Sequence, residues 1–230
     1  MIHCPLCRGT ERTPLPGPEG SLWHRCGTCH LTFRDPDERL PLEAERARYA
    51  THRNSPEDLG YQAFLSRLMD PLIPLLSPAA EGLDFGCGPG PTLSLMLEER
   101  GFPMAIYDPF FAPDETALHR SYDFITASEV VEHLFDPWAT FATLDRLLRP
   151  GGILALMTER TSERTDLATW WYARDPTHVA LFHEASFRWM AEALRWTVTF
   201  PATTVALLRK PSSGGAAGST LAPTPDLPLP

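Results

Sequence analysis

Lysine is nearly absent from this chain: Lys210 stands alone against nineteen arginines. A skew of that size records genome composition, so no phosphate-binding patch follows from it. Positive charge is short overall. Lys and Arg number 20 against 29 Asp and Glu, and the net charge is -9. Nonspecific binding to nucleic acid rests on clustered positive charge. The balance therefore argues against a general DNA or RNA binder, while leaving room for a local basic patch. No apolar run approaches the ~18–20 residues of a membrane-spanning helix. The opening string MIHCPLCRGTER is polar and cysteine-bearing, unlike a secretory signal peptide, and the expectation is a soluble, cytoplasmic protein. No internal repeat is visible. Cysteine is scarce as well: there are five, four of them within residues 1–35.

What is present suffices for a folded domain. The chain has 230 residues, 43% of them hydrophobic and 10% aromatic, room for one full domain and a small appendage. It divides into four pieces. Residues 1–35 carry the cysteines. Residues 36–80 read as helices forming a linker or lid. Asn54-Ser55-Pro56-Glu57-Asp58 supplies cap and first-turn signals. Tyr61, Phe64, Leu65, Leu68 and Met69 then recur at helical spacing, and Pro71, Pro74 and Pro78 break up the stretch beyond Met69. Residues 81–210 alternate short apolar runs with helical patterns, the rhythm of an α/β sheet. Strands are expected at Gly82–Phe85, Met104–Tyr107, Asp123–Ala127 and Ile153–Met157. Helices are expected over Pro91–Arg100, from Asp136-Pro137 to Leu148, and from a Ser186 cap through Leu194. Thr197–Phe200 and Thr204–Leu208 alternate like a closing antiparallel pair. Residues 211–230, PSSGGAAGSTLAPTPDLPLP, have no periodic apolar face and read as a disordered tail.

Cys4-Pro-Leu-Cys7 and Cys26-Gly-Thr-Cys29 are CxxC knuckles with 18 residues between them, the spacing of a paired zinc motif. Four thiolates at the tips of tight turns can converge on one Zn²⁺ in a closed, structural site. Disulfides do not suit a cytoplasmic chain. A redox CxxC belongs with a thioredoxin-like βαβ pattern, which this region lacks. His3, His24 and His30 flank the knuckles. With four cysteines present none is needed as a ligand, and each reads as an exposed loop histidine. A ribbon this small needs its metal to fold. Its role stays open among substrate lid, docking module and stabiliser.

The string Leu83-Asp84-Phe85-Gly86-Cys87-Gly88-Pro89-Gly90 runs a strand into a glycine loop and then a helix. Such a loop lets the backbone approach a ligand closely, and the helix start offers N–H donors. A dinucleotide fingerprint needs Gly or Ala where Pro91 stands. Instead Asp84 precedes the loop, and Asp108 ends the next strand, where a carboxylate can hold both ribose hydroxyls. Asp84-x-Gly86-x-Gly88-x-Gly90, Asp108 and Leu148-Arg149-Pro150-Gly151-Gly152 together resemble a class I S-adenosylmethionine-dependent methyltransferase, over about residues 80–210. The whole chain also resembles a bacterial group of methyltransferase-like proteins, through RYATHRNSPEDLGYQAFL, LDFGCGPGP, YDPFF, YDFITASEVVEH and RDPTHVALFH. The resemblance implies an α/β fold: a Rossmann-like doubly wound sheet with an antiparallel closing strand, carrying the small N-terminal zinc ribbon. It implies S-adenosylmethionine as cofactor. Asp84 and the Gly86, Cys87, Gly88 and Gly90 backbone would face its methionine end, and Asp108 its ribose. Tyr107 lines the ribose pocket or simply ends its strand, and the Cys87 side chain reads as packing. Thirteen residues separate Asp108 from Tyr122, so the third-strand region is expected to be shortened or missing. Asp114 is then the candidate for the adenine-contacting acid.

Ser128-Glu129-Val130-Val131-Glu132-His133 follows the strand beside the glycine loop, at the mouth of the cleft. Spacings of three and four put Glu129, Glu132 and His133 on one helical face. Many methyltransferases carry this string without metal, where it shapes the cleft. It also resembles two groups that use it to hold Mg²⁺, the ubiquinone-pathway O-methyltransferases and the small-RNA terminal 2′-O-methyltransferases. Glu129, Glu132, His133 and His178 are the ligands that resemblance implies, and two carboxylates with two imidazoles suit a divalent ion. The aromatic segment 170–189 is the candidate substrate wall. Phe182 and Phe187 read as core. Trp171, Tyr172, Asp175 and His178 are candidates to face the acceptor, with Asp175 or His178 as general base and Glu129 and His133 beside them. Arg174 orients an anionic acceptor or is a surface residue. The leading expectation is methyl transfer to a small molecule, O-methylation favoured over N or C. An RNA methyltransferase docking through its ribbon is the alternative enzyme. A noncatalytic cofactor-binding or zinc-ribbon interaction protein is the other class, and the intact Asp84, glycine loop and Asp108 argue against it. Acceptor identity and oligomeric state are open.

Overall fold

A computed structural model describes residues 2–51 and 55–212. Residues 213–230 of the expected tail and Asn54 of the expected cap lie outside the described residues. The chain opens with three antiparallel strands, β1 (Arg12–Pro16), β2 (Leu22–Cys26) and β3 (Thr32–Arg34). Two helices come next, α1 (Leu42–Tyr49) and α2 (Leu59–Leu72). Asp58 caps α2, its carboxylate accepting from the Gly60 and Tyr61 N–H groups. Pro71 lies inside α2, where the sequence predicts an interruption. Burial of Leu68, Met69 and Leu72 against the sheet holds the last turn together despite the lost N–H.

Beyond α2 the elements are β4 (Gly82–Phe85), α3 (Thr92–Glu98), β5 (Met104–Tyr107), β6 (Tyr122–Ser128), α4 (Pro137–Leu147), β7 (Leu148–Met157), β8 (Ala180–Leu181), α5 (Glu184–Leu194), β9 (Thr197–Ala202) and β10 (Val205–Arg209). Six strands form one sheet in the order β5-β4-β6-β7-β10-β9. The first four run parallel, and β10 pairs antiparallel with both β7 and β9. The expected closing pair is there. Between β5 and β6 stands only a short 3-10 turn, Glu115–His119, so the third helix and strand are missing, as the thirteen-residue gap predicts. Asp114 caps that turn, accepting from the Thr116 N–H at 3.0 Å, and does not line the cavity at the strand ends.

Alternation along β7 shows how both sheet faces are covered. Ile153, Ala155 and Met157 pack with Leu65, Leu68, Leu93 and Leu97 of α2 and α3. Leu154 and Leu156 pack on the other side with Phe141 and Leu144 of α4 and with Phe187 and Met190 of α5. Strands buried on both faces read as unbroken apolar runs. Asp136 caps α4, accepting from the Ala139 N–H at 3.0 Å. The start of α5 departs from expectation. His183 is its cap, with Nδ1 accepting from the Ala185 N–H at 3.0 Å, and Ser186 lies within the first turn. The sole lysine, Lys210, donates to the Asp145 and Leu148 carbonyls and closes the end of α4.

The N-terminal sheet has the order β1-β2-β3-β8, so its fourth strand comes from beyond β7. Phe33 pairs with Ala180 and Thr32 with Leu181. Cys4, Leu6, Leu31 and Phe33 share one core with Phe141 and Phe182. His24 is a correction to the sequence reading. It is 4% exposed, with Nε2 at 2.8 Å from the Asp35 carboxylate, because β2 carries it into the sheet and Asp35 closes over it. Among the described residues no helix is long and apolar enough to cross a membrane.

Candidate active site

β4 is buried at every position, and Gly86 follows its last residue. Gly86 has φ +76, and a Cβ there would sit 2.5 Å from Val130 Cγ2, so no other residue fits without displacing its neighbour. The Gly86 and Cys87 N–H groups donate to the Tyr107 carbonyl at 2.7 and 3.3 Å, tying the loop to the end of β5. Asp108 is 7% exposed. Its Oδ2 accepts from the Gly88 N–H at 3.0 Å, and its Oδ1 from the Phe110 and Phe111 N–H groups at 2.8 and 3.0 Å. A carboxylate offers about four lone-pair sites, so these three bonds fix its aim and leave acceptor capacity.

A cavity of about 390 Å³ opens above these residues, at the carboxyl ends of the parallel strands where such sheets bind ligands. Gly86, Cys87, Gly88, Tyr107 and Asp108 line it, together with Glu129, His133, Tyr172, Asp175 and His178. Asp84 and Gly90 do not. The Asp84 carboxyl is fully buried beneath the loop, accepts from Thr126 Oγ1 at 2.8 Å, and is pushed up to about 6 by that burial. It braces the loop from below. Burial also pushes the Cys87 thiol up to about 12, so it is protonated and no nucleophile. Arg174 and Trp171 divide as well: Arg174 lies off the cavity wall, while Trp171, 63% exposed, stands on its rim.

The Ser128–His133 string is not the expected helix face. Glu129 adopts φ +54, its N–H donating to the Met157 carbonyl at 2.8 Å, and only Val131–His133 form a 3-10 turn. The segment between β6 and the Asp136 cap is too short for more. Tyr172 ties the string together instead. Its hydroxyl lies 2.5 Å from Glu132 Oε1, 3.1 Å from Glu129 Oε2 and 3.1 Å from Thr158 Oγ1. Burial and then the neighbouring Glu132 push the Glu129 carboxyl up to about 9. Glu132 is raised by burial too, and its Oε2 has no hydrogen-bond partner.

The second string meets the first. The Val179 N–H donates to the Glu132 carbonyl at 2.8 Å, and the His133 and His178 rings lie 4.7 Å apart. His133 Nδ1 is 3.1 Å from the Thr177 carbonyl and His178 Nδ1 is 2.6 Å from the Tyr172 carbonyl. A carbonyl only accepts, so both Nδ1 atoms carry a proton, and in a neutral ring Nε2 is then the acceptor nitrogen. Burial lowers the His178 pKa, so its ring is neutral near pH 7. Asp175 behaves otherwise. Burial alone would raise its carboxyl, but the Arg48 guanidinium at 2.8 Å and the Thr177 hydroxyl outweigh that and hold it low.

α1 supplies wall residues that the sequence did not disclose. Tyr49 donates to Glu45 Oε1 at 2.6 Å, and its ring packs against both Phe110 and His133. Glu45 is 6% exposed, and its Oε2 has no hydrogen-bond partner. A short, strongly charged helix shows no apolar stripe; the one available signal was Glu45 and Tyr49 at a spacing of four.

Residues 58–199 match the family model for a methyltransferase domain, more than half the chain and all of the cleft strands. The chain belongs to the methyltransferase domain family. This methyltransferase is an S-adenosylmethionine-dependent enzyme, and the cavity fits that cofactor on its own evidence: a glycine cradle with no room for a Cβ, and a buried carboxylate aimed at the wall. No curated protein sequence matches it. Solved structures similar to it include a Methanosarcina mazei S-adenosylmethionine-dependent methyltransferase, at 18% identity and TM-score 0.48, covering 62% of this chain and 98% of that one. An Archaeoglobus fulgidus S-adenosylmethionine-dependent methyltransferase shares 23% identity at TM-score 0.46, covering 60% and 70%. The Burkholderia thailandensis 1,6-didemethyltoxoflavin-N1-methyltransferase, solved with 1,6-didemethyltoxoflavin and S-adenosylhomocysteine, shares 18% at TM-score 0.44, covering 79% and 96%.

The knuckle thiols also fit their metal. All four Sγ atoms lie within 4.8 Å of one another, with Cys4–Cys29 at 3.5 Å and Cys7–Cys26 at 3.3 Å. Tetrahedral Zn–S bonds of ~2.3 Å put sulfurs ~3.8 Å apart.

Proposed function

We propose that this methyltransferase methylates a hydroxyl of a small, planar acceptor that carries no net negative charge, with His178 as general base and structural zinc in the ribbon. The observation that carries the reading is the composition of the cavity wall. Among the described residues, Glu45, Asp108, Glu129 and Asp175 bring four carboxyl groups to it, Glu129 held as the neutral acid, nine Phe, Tyr and Trp residues surround them, and no arginine or lysine lines it. An RNA backbone needs cations along its path, and the described residues of this wall supply none. Aromatic walls with few polar groups are the usual lining of small-molecule sites.

The bound cofactor supplies a methyl group on a sulfonium. That methyl would be available for in-line transfer to an acceptor oxygen, and His178 Nε2 would take the hydroxyl proton. Tyr172 holds His178 in the required tautomer through its carbonyl. Asp175, held low by Arg48, is the weaker base. Alignment of acceptor and methyl supplies most of the rate.

A second reading adds a cation. Glu132, His133 and His178 each bring one ligand atom within 4.8 Å of the others, and the orphaned Glu132 Oε2 favours it. Glu129 falls outside that group, its carboxyl joined to Glu132 only through the Tyr172 hydroxyl that bonds both. Two imidazoles and one carboxylate suit a first-row transition ion better than magnesium. The test of both is transfer of labelled methyl into fractionated cell extract. Label in a small-molecule fraction, abolished by His178→Asn and unaffected by chelation, supports the metal-free reading. Loss on chelation with restoration by Mn²⁺ supports the cation. Label confined to RNA overturns the acceptor class.

A further inference from the structure

The ribbon meets the cleft loop through Trp23, which packs with Tyr172 and Ala173, and through the hydrogen bonds of Arg34. Arg34 lies on β3 and is 8% exposed. Its Nε donates to the His178 carbonyl at 3.3 Å, and Nη2 to the Ala173 and Asp175 carbonyls at 3.3 and 3.4 Å. Its guanidinium stacks over Trp23 at 4.8 Å, and its backbone N–H donates to the Val179 carbonyl at 2.9 Å. The three side-chain acceptors all belong to the loop that presents Tyr172, Asp175 and His178 to the cavity. None belongs to the glycine loop or to Asp108.

We propose that Arg34 is a positioning residue for methyl transfer, bracing the 172–178 loop from the ribbon so that an intact ribbon sets acceptor geometry without affecting cofactor binding. The fork shape of a guanidinium is what the job needs. Its N–H groups span three carbonyls in a fixed plane, whereas an ammonium acts as a point charge. A buried arginine is costly unless its donors are satisfied, so the loop carbonyls and the arginine hold each other in place. The ribbon thiols are close in sequence: Cys26 ends β2 and Cys29 lies three residues before β3, and the Cys26 N–H donates to the Leu31 carbonyl at 2.9 Å. Loss of the ion that the four thiols fit would free β3, and with it Arg34. A displacement of about 1 Å at reacting groups is enough to cost on the order of 100-fold in rate.

The proposal rests on the cavity being the methyl-transfer cleft, but its main readout needs no acceptor, so the two fail separately. The experiment compares full-length wild type, Arg34→Lys and Arg34→Met by amide hydrogen exchange and by calorimetry with S-adenosylhomocysteine. In both variants the amides of residues 173–178 should exchange at least about 10-fold faster, while β4 and β6 are unchanged. Affinity for S-adenosylhomocysteine should stay within about 2-fold of wild type. Stripping zinc from the wild-type chain should give the same pattern. Where a variant fails to fold, Arg34→Gln, which keeps one amide donor, replaces it. Unchanged loop exchange, acceleration spread equally over β4 and β6, or a parallel loss of S-adenosylhomocysteine affinity would each overturn the proposal.

Discussion

Gly86→Ala should be among the most damaging single-methyl additions in the chain, and its cost divides into two parts. The first is backbone. At φ +76 a residue with a Cβ meets its own carbonyl, at about 1–2 kcal/mol. The second is packing. The added Cβ would lie 2.5 Å from Val130 Cγ2 and 3.0 Å from Cγ1, well inside contact distance. Valine is stiff about χ1 and cannot swing both methyls away, so overpacking adds about 1–3 kcal/mol. Gly101 is the control. Its φ is +87, but nothing lies within 4 Å of a Cβ there, so Gly101→Ala should show the backbone part alone. Urea unfolding of both variants, with Val130→Ala and the double variant Gly86→Ala/Val130→Ala, separates the parts. The double variant should recover about 1–3 kcal/mol relative to additivity. Equal costs at Gly86 and Gly101, or strict additivity with Val130→Ala, would refute the close approach of the glycine loop to the Glu129–Val130 turn.

Three further outcomes concern other parts of the site. Asp108→Ala should weaken S-adenosylhomocysteine by about 1.5–3 kcal/mol, the scale for hydrogen bonds to a charged group, and unchanged calorimetry would misplace the ribose. The Glu129 carboxyl is pushed from 4.5 to about 9, so between those values the folded chain holds a proton that the unfolded chain has released. Stability therefore falls as pH rises through that window, by at most about 1.4 kcal/mol per pH unit. Glu129→Gln should stabilise the fold more at pH 8 than at pH 5, and thermal melts giving equal shifts would contradict the burial argument. Protein prepared without chelator should carry about one zinc per chain on Cys4, Cys7, Cys26 and Cys29; elemental analysis finding none would remove the metal from the ribbon.

The parallel strands and glycine loop were legible because local rules and tertiary structure agree there. Met104–Tyr107 and Gly82–Phe85 fall at the expected residues, and the missing third strand was readable as a distance along the chain. Misreadings arose where a residue acted outside its usual role. His183 caps α5 with a ring nitrogen, so the rule that seeks Ser placed the start three residues late. Glu129 takes a left-handed backbone that no periodicity announces. His24 is buried by a pairing with Asp35, eleven residues on. The β3–β8 pairing, like Arg34 on the 173–178 carbonyls, joins segments some 140 residues apart, a contact that no local pattern encodes.

The most direct test of the central claim is a crystal structure of the full chain with S-adenosylhomocysteine. The account expects the ribose hydroxyls on the Asp108 carboxylate, the amino-acid end along Gly86–Gly88, and the sulfur facing the His133–His178 pair across open cavity. A ligand bound elsewhere, or a sulfur turned away from His178 with no space between them for an acceptor, would contradict it.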